Sequence, residues 1–273
     1  MTSTPTNPAD AIAQFKQTQK EGWKRFAPLE AITTASAARL VRFAGIAPGM
    51  RVLDAGCGTG VVAVTAARLG ALVKGADLTP ELLIRARENA QIANVNVDWT
   101  EADVEQLPFA DGEFDAVLSQ FAHMFAPRPD VAVSEMLRVL RPGGTLAFAT
   151  WPPELLVGRT MLLASRYMPP PPPGVSSPML WGEINFIQQR LGDAVQNVAF
   201  DRGEMLVPTL SPQHFRSNVE RSAGPIIKMV EMLAATNPER LNEFRKEFDA
   251  IVAEYLQDNV ARQGYLITRA RKV

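Results

Sequence analysis

The stretch Val52-Leu53-Asp54-Ala55-Gly56-Cys57-Gly58-Thr59-Gly60 decides the fold, because an apolar run ends on an acid and passes directly into a turn with three glycines. The run reads as a buried strand and the turn as the opening of a helix. Glycine has no side chain in the way and tolerates positive φ, so such a turn lets a ligand approach the backbone closely. Two details narrow the ligand. A dinucleotide fingerprint needs G-x-G-x-x-G, whereas Gly56, Gly58 and Gly60 follow G-x-G-x-G and Val61 stands where the third glycine would fall. Asp54, just before the turn, would repel a pyrophosphate and attract a ligand carrying an ammonium group. No Gly-Lys-Ser/Thr follows, which excludes a phosphate-cradling P-loop.

Outward from this turn, short β-rich runs alternate with amphipathic ones. Strands are predicted near 51–55, 71–76, 95–99, 114–119 and 144–150, with helices near 59–69, 80–93 and 129–140 between them. That alternation predicts βαβ units and a mainly parallel sheet. Thr79-Pro80 places a capping hydroxyl before a proline at the first helical position, and Arg141-Pro142-Gly143-Gly144 ends a helix and turns into a strand. Upstream, residues 1–8 are polar and proline-bearing and read as disordered, and helices are expected over 9–21 and 30–44. Downstream, the prolines between Trp151 and Trp181, including Pro169 to Pro173, preclude an unbroken sheet or long helix and mark an excursion from the core.

A β-like run follows at 195–207, and helices begin at Ser211-Pro212 and Asn237-Pro238. In the last helix Leu241, Phe244, Phe248, Ile251, Val252, Tyr255 and Leu256 share one apolar face, suited to a cap or to a homodimer interface. Gly264 to Thr268 reads as a final strand. The expected organisation is a helical N-terminal segment at 1–45, a ligand-binding core at 46–151, a cap region at 152–260 containing the strand near 195–207, and a returning strand at 261–273.

A second acid, Asp77, closes the second strand, where it can accept hydrogen bonds from both ribose hydroxyls of an adenosine lying across the strand ends. Composition restricts the partners. Lys and Arg number 28 against 29 Asp and Glu, so no excess of positive charge is available for nucleic acid or an anionic bilayer. The single cysteine excludes an internal disulfide and a cysteine-built metal cage, and no metal site is expected. The charged first thirty residues argue against a secretory signal, and no run is long enough to span a membrane, so a cytoplasmic protein is expected.

The ordered set Val52 to Gly60, Asp77, Ala102-Asp103 with Leu107-Pro108-Phe109, Phe114-Asp115 and Leu140-Arg141-Pro142-Gly143-Gly144 resembles the class I S-adenosylmethionine-dependent methyltransferases of the ubiquinone/menaquinone-biosynthesis-like group. The resemblance is close over about residues 45–151. It implies an α/β fold with a Rossmann-like, doubly wound, mainly parallel sheet of seven strands, carrying a helical N-terminal segment and cap insertions. It also implies S-adenosylmethionine as cofactor, with Gly56, Gly58 and Gly60 on the methionine part and Asp54 on its ammonium group. Asp77 would hold the ribose, Leu78 would pack on the adenine, Asp103 and the backbone of Val104 would address the ring, and Gln120 would lie beside the sulfonium.

The methyl acceptor is expected to be a small molecule, apolar or aromatic because the cap is rich in Met, Leu, Trp and Pro. Position 119–122 reads Ser-Gln-Phe-Ala, unlike the motif of amino-directed DNA methyltransferases. If the acceptor is a hydroxyl, a general base would help. His123, just past the fourth strand, is the candidate, either facing substrate or simply packing at a helix start; His214, at the start of the Ser211-Pro212 helix, is weaker. Trp23, Phe26, Trp151, Tyr167 and Trp181 are candidates for a pocket roof or for core. Two rivals stay open: a non-catalytic module that binds S-adenosylmethionine as sensor or scaffold, and a nicotinamide oxidoreductase with an atypical glycine turn.

Overall fold

A computed structural model of the chain describes residues 7–273. The elements run α1 (Pro8–Trp23), α2 (Glu30–Ala44), β1 (Arg51–Ala55), α3 (Val61–Arg68), β2 (Leu72–Asp77), α4 (Pro80–Ile92), β3 (Val97–Glu101), β4 (Phe114–Gln120), α5 (Pro129–Val139), β5 (Leu140–Thr150), α6 (Leu156–Ser165), α7 (Ile184–Leu191), β6 (Val195–Pro208), α8 (Pro212–Ser222), α9 (Gly224–Thr236), α10 (Pro238–Ala253), β7 (Leu256–Gln257) and β8 (Val260–Lys272). Of the start expected to be disordered, residues 1–6 lie outside the described residues. Asn7 and Pro8 belong to helix α1: the Asn7 side chain accepts from the Ala9 amide and Pro8 occupies the first turn, the same capping chemistry as at Asn237-Pro238.

The sheet has the order β3-β2-β1-β4-β5-β8-β6, with the short β7 paired to β8 off this path. Strands β1 to β5 are parallel, and β8 and β6 add in antiparallel sense. The architecture is therefore the expected doubly wound, mainly parallel α/β sheet, with seven strands on its main path. From β1 the chain moves outward to β2 and β3, then crosses back to lay β4 on the other side of β1. This reversal leaves a crevice beyond the carboxyl ends of β1 and β4, the place where open α/β sheets bind ligands. Helices on both faces explain the uninterrupted apolar run of the central strands, where Val52, Leu53, Val117 and Leu118 are fully buried.

A second apolar core forms beyond this edge. Leu156 and Leu163 of α6, Phe215 of α8, Ile226 of α9 and Phe244 and Phe248 of α10 pack together with Val207 and Ala261 from the ends of β6 and β8. The apolar stripe of α10 is thus consumed within the chain: Leu241, Phe244, Phe248 and Val252 are buried here, which removes the basis for reading it as a dimer interface. Leu256, expected on the helix, begins β7.

Three helices escaped the sequence reading. Helix α6 starts just after Pro152-Pro153, α7 follows Glu183, and α9 begins at Gly224-Pro225, where proline sits in the first turn and costs the helix nothing. The run Pro169 to Pro173 lies outside regular structure and is largely exposed. Among the described residues no helix is long and apolar enough to cross a membrane.

Candidate functional site

The crevice at the β1 and β4 ends is a cavity lined by Asp54, Gly56, Gly58, Asp77, Leu78, Asp103, Val104, Gln120 and His123, together with side chains of α1 and the α2 start. Gly60, the remaining predicted position, caps α3 in the left-handed region at φ 80°. A Cβ there would stand 2.6 Å from the Trp99 ring, so the glycine lets β3 close on the turn. Gly58 serves differently. At φ 54° it too is left-handed, yet nothing lies within 4 Å of where its Cβ would stand, so the turn presents bare backbone to the cavity.

Asp54 is almost fully buried, and one of its oxygens, Oδ2, accepts from the Ala63 amide in the first turn of α3 at 2.9 Å. Its other oxygen, Oδ1, has no partner among the described residues. Burial is the main cause that pushes its pKa up to about 7, the Ala63 amide opposing it and the Asp77 charge adding to it. Gln120 repeats this pattern: its Nε2 donates to the Thr33 carbonyl at 3.0 Å, and its buried Oε1 is unpartnered. Two lone acceptors with no donor in sight are costly to bury, and they are what an ammonium group would satisfy.

Asp77 does more than close β2. Its Oδ2 accepts from the Gly58 amide and its Oδ1 from the Thr79 amide, both at 2.8 Å, so the carboxylate clamps the glycine turn to the β2 end. Burial raises its pKa and these amides oppose the rise. Each oxygen keeps a second lone pair for a ligand hydroxyl. Asp103 accepts from the Glu105 amide at 2.9 Å and shares Lys16 with the buried Glu105, both ion pairs measuring 2.5 Å. Arg128 pairs with the same Glu105 at 2.8 Å. Cys57 is buried in the turn with its pKa pushed well up, chiefly by burial, which makes it a packing residue rather than a nucleophile.

Helix α1 closes the crevice from outside. Lys16 reaches Asp103 and Glu105, Lys20 reaches Glu101, and Lys24 reaches Glu81, a line of contacts along the β2 and β3 ends. Gln19 donates to the Phe125 carbonyl at 3.1 Å, and the Trp23 ring meets Phe125 edge-on at 4.9 Å. The sequence reading missed this role, although Lys16, Lys20 and Lys24 recur every fourth residue and so share one helix face.

The imidazole of His123 packs against Phe148 and Trp181, each ring centroid 4.6 Å away, and neither ring nitrogen has a hydrogen-bond partner among the described residues. Burial first, then the nearby Arg190, pushes its pKa down to about 3. A base of that strength holds almost no proton at neutral pH and withdraws one poorly. Of the two expectations for His123, the geometry favours packing. His214 lines neither this cavity nor its neighbour; its Nδ1 accepts from the Leu210 amide at 3.1 Å. Trp181 and Tyr167 also belong to core, while Trp23, Phe26 and Trp151 do line cavities.

Phe121 follows Gln120 with φ 54°, a left-handed conformation that costs a bulky residue about 1–3 kcal/mol. It is held by its amide, which donates to the Ala149 carbonyl at 2.9 Å, and by stacking on Trp151 at 3.8 Å and 11°. The ring borders the cofactor-side cavity and a second cavity alike. That second cavity lies between α1, α2, α6, α8 and β8 and shares Trp23, Phe26, Thr33, Phe121 and Phe125 with the first. The run Pro169 to Pro173, part of the region expected to form the cap, lines neither cavity; helix α6 lines the second one through Val157, Thr160 and Met161.

A sheet with this strand order, a glycine turn after β1 and acids at the β1, β2 and β3 ends together define a methyltransferase core. The family described as Methyltransferase domain matches residues 53–148. Residues 53–148 are thus a methyltransferase domain, of the kind that takes S-adenosylmethionine as cofactor. It is 38% identical over 234 residues to an uncharacterized protein of Mycobacterium tuberculosis, a match covering 85% of each. It is 34% identical over 155 residues to a ubiquinone biosynthesis O-methyltransferase of Xanthomonas campestris, covering 53% of this chain and 65% of that one. Its fold is similar to that of phosphoethanolamine N-methyltransferase 2 of Haemonchus contortus in complex with S-adenosyl-L-methionine, with a TM-score of 0.54, 18% identity, and coverage of 87% of this chain and 52% of that one.

Proposed function

We propose that this protein transfers a methyl group from S-adenosylmethionine to a small apolar or aromatic molecule. The observation that carries the proposal is the pairing of two orphaned buried acceptors, Asp54 Oδ1 and Gln120 Oε1, with an adjoining apolar cavity across the shared Phe121 wall. The donor set fits the cofactor. Asp54 and Gln120 would accept from its ammonium group, the bare Gly58 backbone would admit its amino-acid part, Asp77 would accept from the ribose hydroxyls, and Leu78, Asp103 and Val104 would frame the adenine. When bound, the cofactor presents a methyl group on a cationic sulfur, and an acceptor lone pair forms the new bond as the carbon–sulfur bond breaks and its electron pair stays on sulfur.

The chain's own part is to bind, align and dry. Helix α1 covers the crevice, which excludes water and strengthens the electrostatic contacts inside. Phe121 and Phe125 separate the two cavities and set the line along which the partners meet. The test is incubation of the protein with methyl-labelled S-adenosylmethionine and a bacterial small-molecule extract. The expected result is label in an organic-soluble product with an equal yield of S-adenosylhomocysteine. Cofactor binding without any labelled product from extracts of several bacteria would refute it.

A further inference from the structure

The second cavity carries information about the acceptor that the cofactor site does not. Its volume is about 170 Å³. A dry apolar cavity of about 150 Å³ takes up a benzene ring, so the space here suits a molecule of one or two rings. Among the described residues its wall holds no Asp, Glu, Lys, Arg, His, Cys or Tyr. Side-chain polar groups there are those of Thr33, Thr160, Asn218 and Gln263 and the indole N–H groups of Trp23 and Trp151. Thr33 Oγ1 donates to the Glu30 carbonyl at 3.1 Å and Thr160 Oγ1 to the Val157 carbonyl at 2.9 Å, while Asn218 Oδ1 accepts from Arg221 at 2.8 Å. Gln263 on β8 is 8% exposed and lines the cavity, so its carboxamide is a polar group set in a mostly apolar wall. A carboxamide placed in an otherwise apolar cavity wall can orient a ligand through that ligand's polar atom.

Building on the methyl-transfer reading above, we propose that this cavity is the acceptor chamber, that it takes an uncharged aromatic molecule, and that the Gln263 carboxamide holds that molecule's polar substituent. The stacked Phe121 and Trp151 rings supply an aromatic face beside the cofactor crevice. A charged substrate would lose its hydration against this wall and find no counter-ion. The wall also contains no group able to take a proton. The nucleophilic atom is therefore one that carries no proton in the neutral molecule, such as a thioether sulfur or a ring nitrogen, or one, such as a phenol oxygen, that enters neutral and gives its proton to water as the new bond forms.

The probes are 2-naphthol, 2-naphthoate and 2-naphthylmethylammonium, which share a ring system and differ in charge. Binding is followed at neutral pH through quenching of tryptophan fluorescence, since Trp23 and Trp151 line the chamber, with and without S-adenosylhomocysteine. Naphthol should bind at least tenfold more tightly than either ion. Val157→Phe fills the space and should weaken naphthol at least tenfold while leaving S-adenosylhomocysteine affinity within twofold. Gln263→Leu should weaken naphthol about two- to tenfold, the worth of one neutral hydrogen bond. Equal affinity for naphthol and naphthoate, unchanged naphthol binding in the folded Val157→Phe protein, or no naphthol binding to the wild type would each overturn the proposal. Naphthol binding as described with no S-adenosylhomocysteine binding supports the chamber and refutes the methyl-transfer reading, so the two fail separately.

Discussion

Replacing Asp54 by Asn should make the free protein more stable and the cofactor complex much weaker. Asp54 is buried, its pKa is pushed up from 3.8 to about 7, and one oxygen is unpartnered. A carboxyl whose folded pKa lies above its unfolded value stabilises the fold fully below the unfolded value and loses that contribution as pH rises through the folded one. The window is therefore from about pH 4 to pH 7, the loss being complete above it. A rise from 3.8 to 7 at about 1.4 kcal/mol per unit amounts to about 4 kcal/mol of destabilisation at pH 8. Asparagine removes that cost and keeps an acceptor for the Ala63 amide, but leaves its own NH2 unpartnered at about 1–3 kcal/mol.

The net gain for the variant is about 2 kcal/mol at pH 8, or roughly 4–8 °C in Tm for a chain of this size. Thermal unfolding followed by circular dichroism at pH 5, 6, 7 and 8 should show the gain growing with pH. Calorimetric titration of the same protein should show S-adenosylhomocysteine binding weakened by about 2–3 kcal/mol, because a charge-assisted contact to the ammonium is lost. A cationic ligand also draws the proton off Asp54, so binding to the wild type at pH 6 should release close to one proton and at pH 8 almost none. A variant no more stable than wild type at pH 8, a gain independent of pH, or unaltered affinity would refute the assignment of Asp54.

Asp77→Ala should lower S-adenosylhomocysteine affinity by about 1–3 kcal/mol in calorimetry, since it removes ribose acceptors and unclamps Gly58; an unchanged Kd in a folded variant would take Asp77 out of the site. Lys16→Met should raise amide hydrogen exchange over α1 and speed S-adenosylhomocysteine release, with overall stability changing by about 1 kcal/mol or less because Glu105 keeps Arg128; unchanged exchange in α1 would deny the latch. His123→Phe should retain the fold and flatten the acid limb of stability. The His123 pKa falls from 6.5 to about 3, so its contribution is present above pH 6.5 and is lost as pH falls toward 3, up to about 5 kcal/mol that the variant does not lose. An acid limb identical to wild type would contradict this.

The parallel half of the fold was legible because each element carries its own local chemistry. Strand β1 was expected over 51–55 and occupies Arg51–Ala55; α4 begins at Pro80 as expected, although the Thr79 hydroxyl at its N-cap makes no capping hydrogen bond. What stayed hidden depended on distant contact or on ambiguous punctuation. Proline opened a helix legibly where a polar capping residue preceded it, at Pro80, Pro212 and Pro238, whereas Pro225 follows Ala223-Gly224 and carries no such signal. The Gly58–Asp77 clamp joins two strand ends through one carboxylate, and neither residue type announces it. Helix α1 was expected over 9–21 only as a helix, and its lysine face gained meaning once β2 and β3 ended beneath it. The acceptor chamber draws its wall from residues between Trp23 and Gln263, and no local periodicity records such an assembly.

Three departures from local stability meet at the same crevice: a buried acid with a free oxygen, an amide with a free oxygen, and Phe121 in a left-handed conformation. Each costs of the order of a kcal/mol or more, and each is surrounded by structure that would tolerate a cheaper alternative. Asparagine fits at 54, and a residue favoured at positive φ fits at 121. Strain that fold packing does not require is best explained by what it prepares: acceptors already aimed at a cation and a ring already placed between two cavities. Such preparation moves the cost of ordering from the moment of binding into the folded protein, where the fully buried centre of the sheet offsets it. The free protein should therefore gain more than usual from ligand, and that gain should be lost in Asp54→Asn while remaining in variants of the second core.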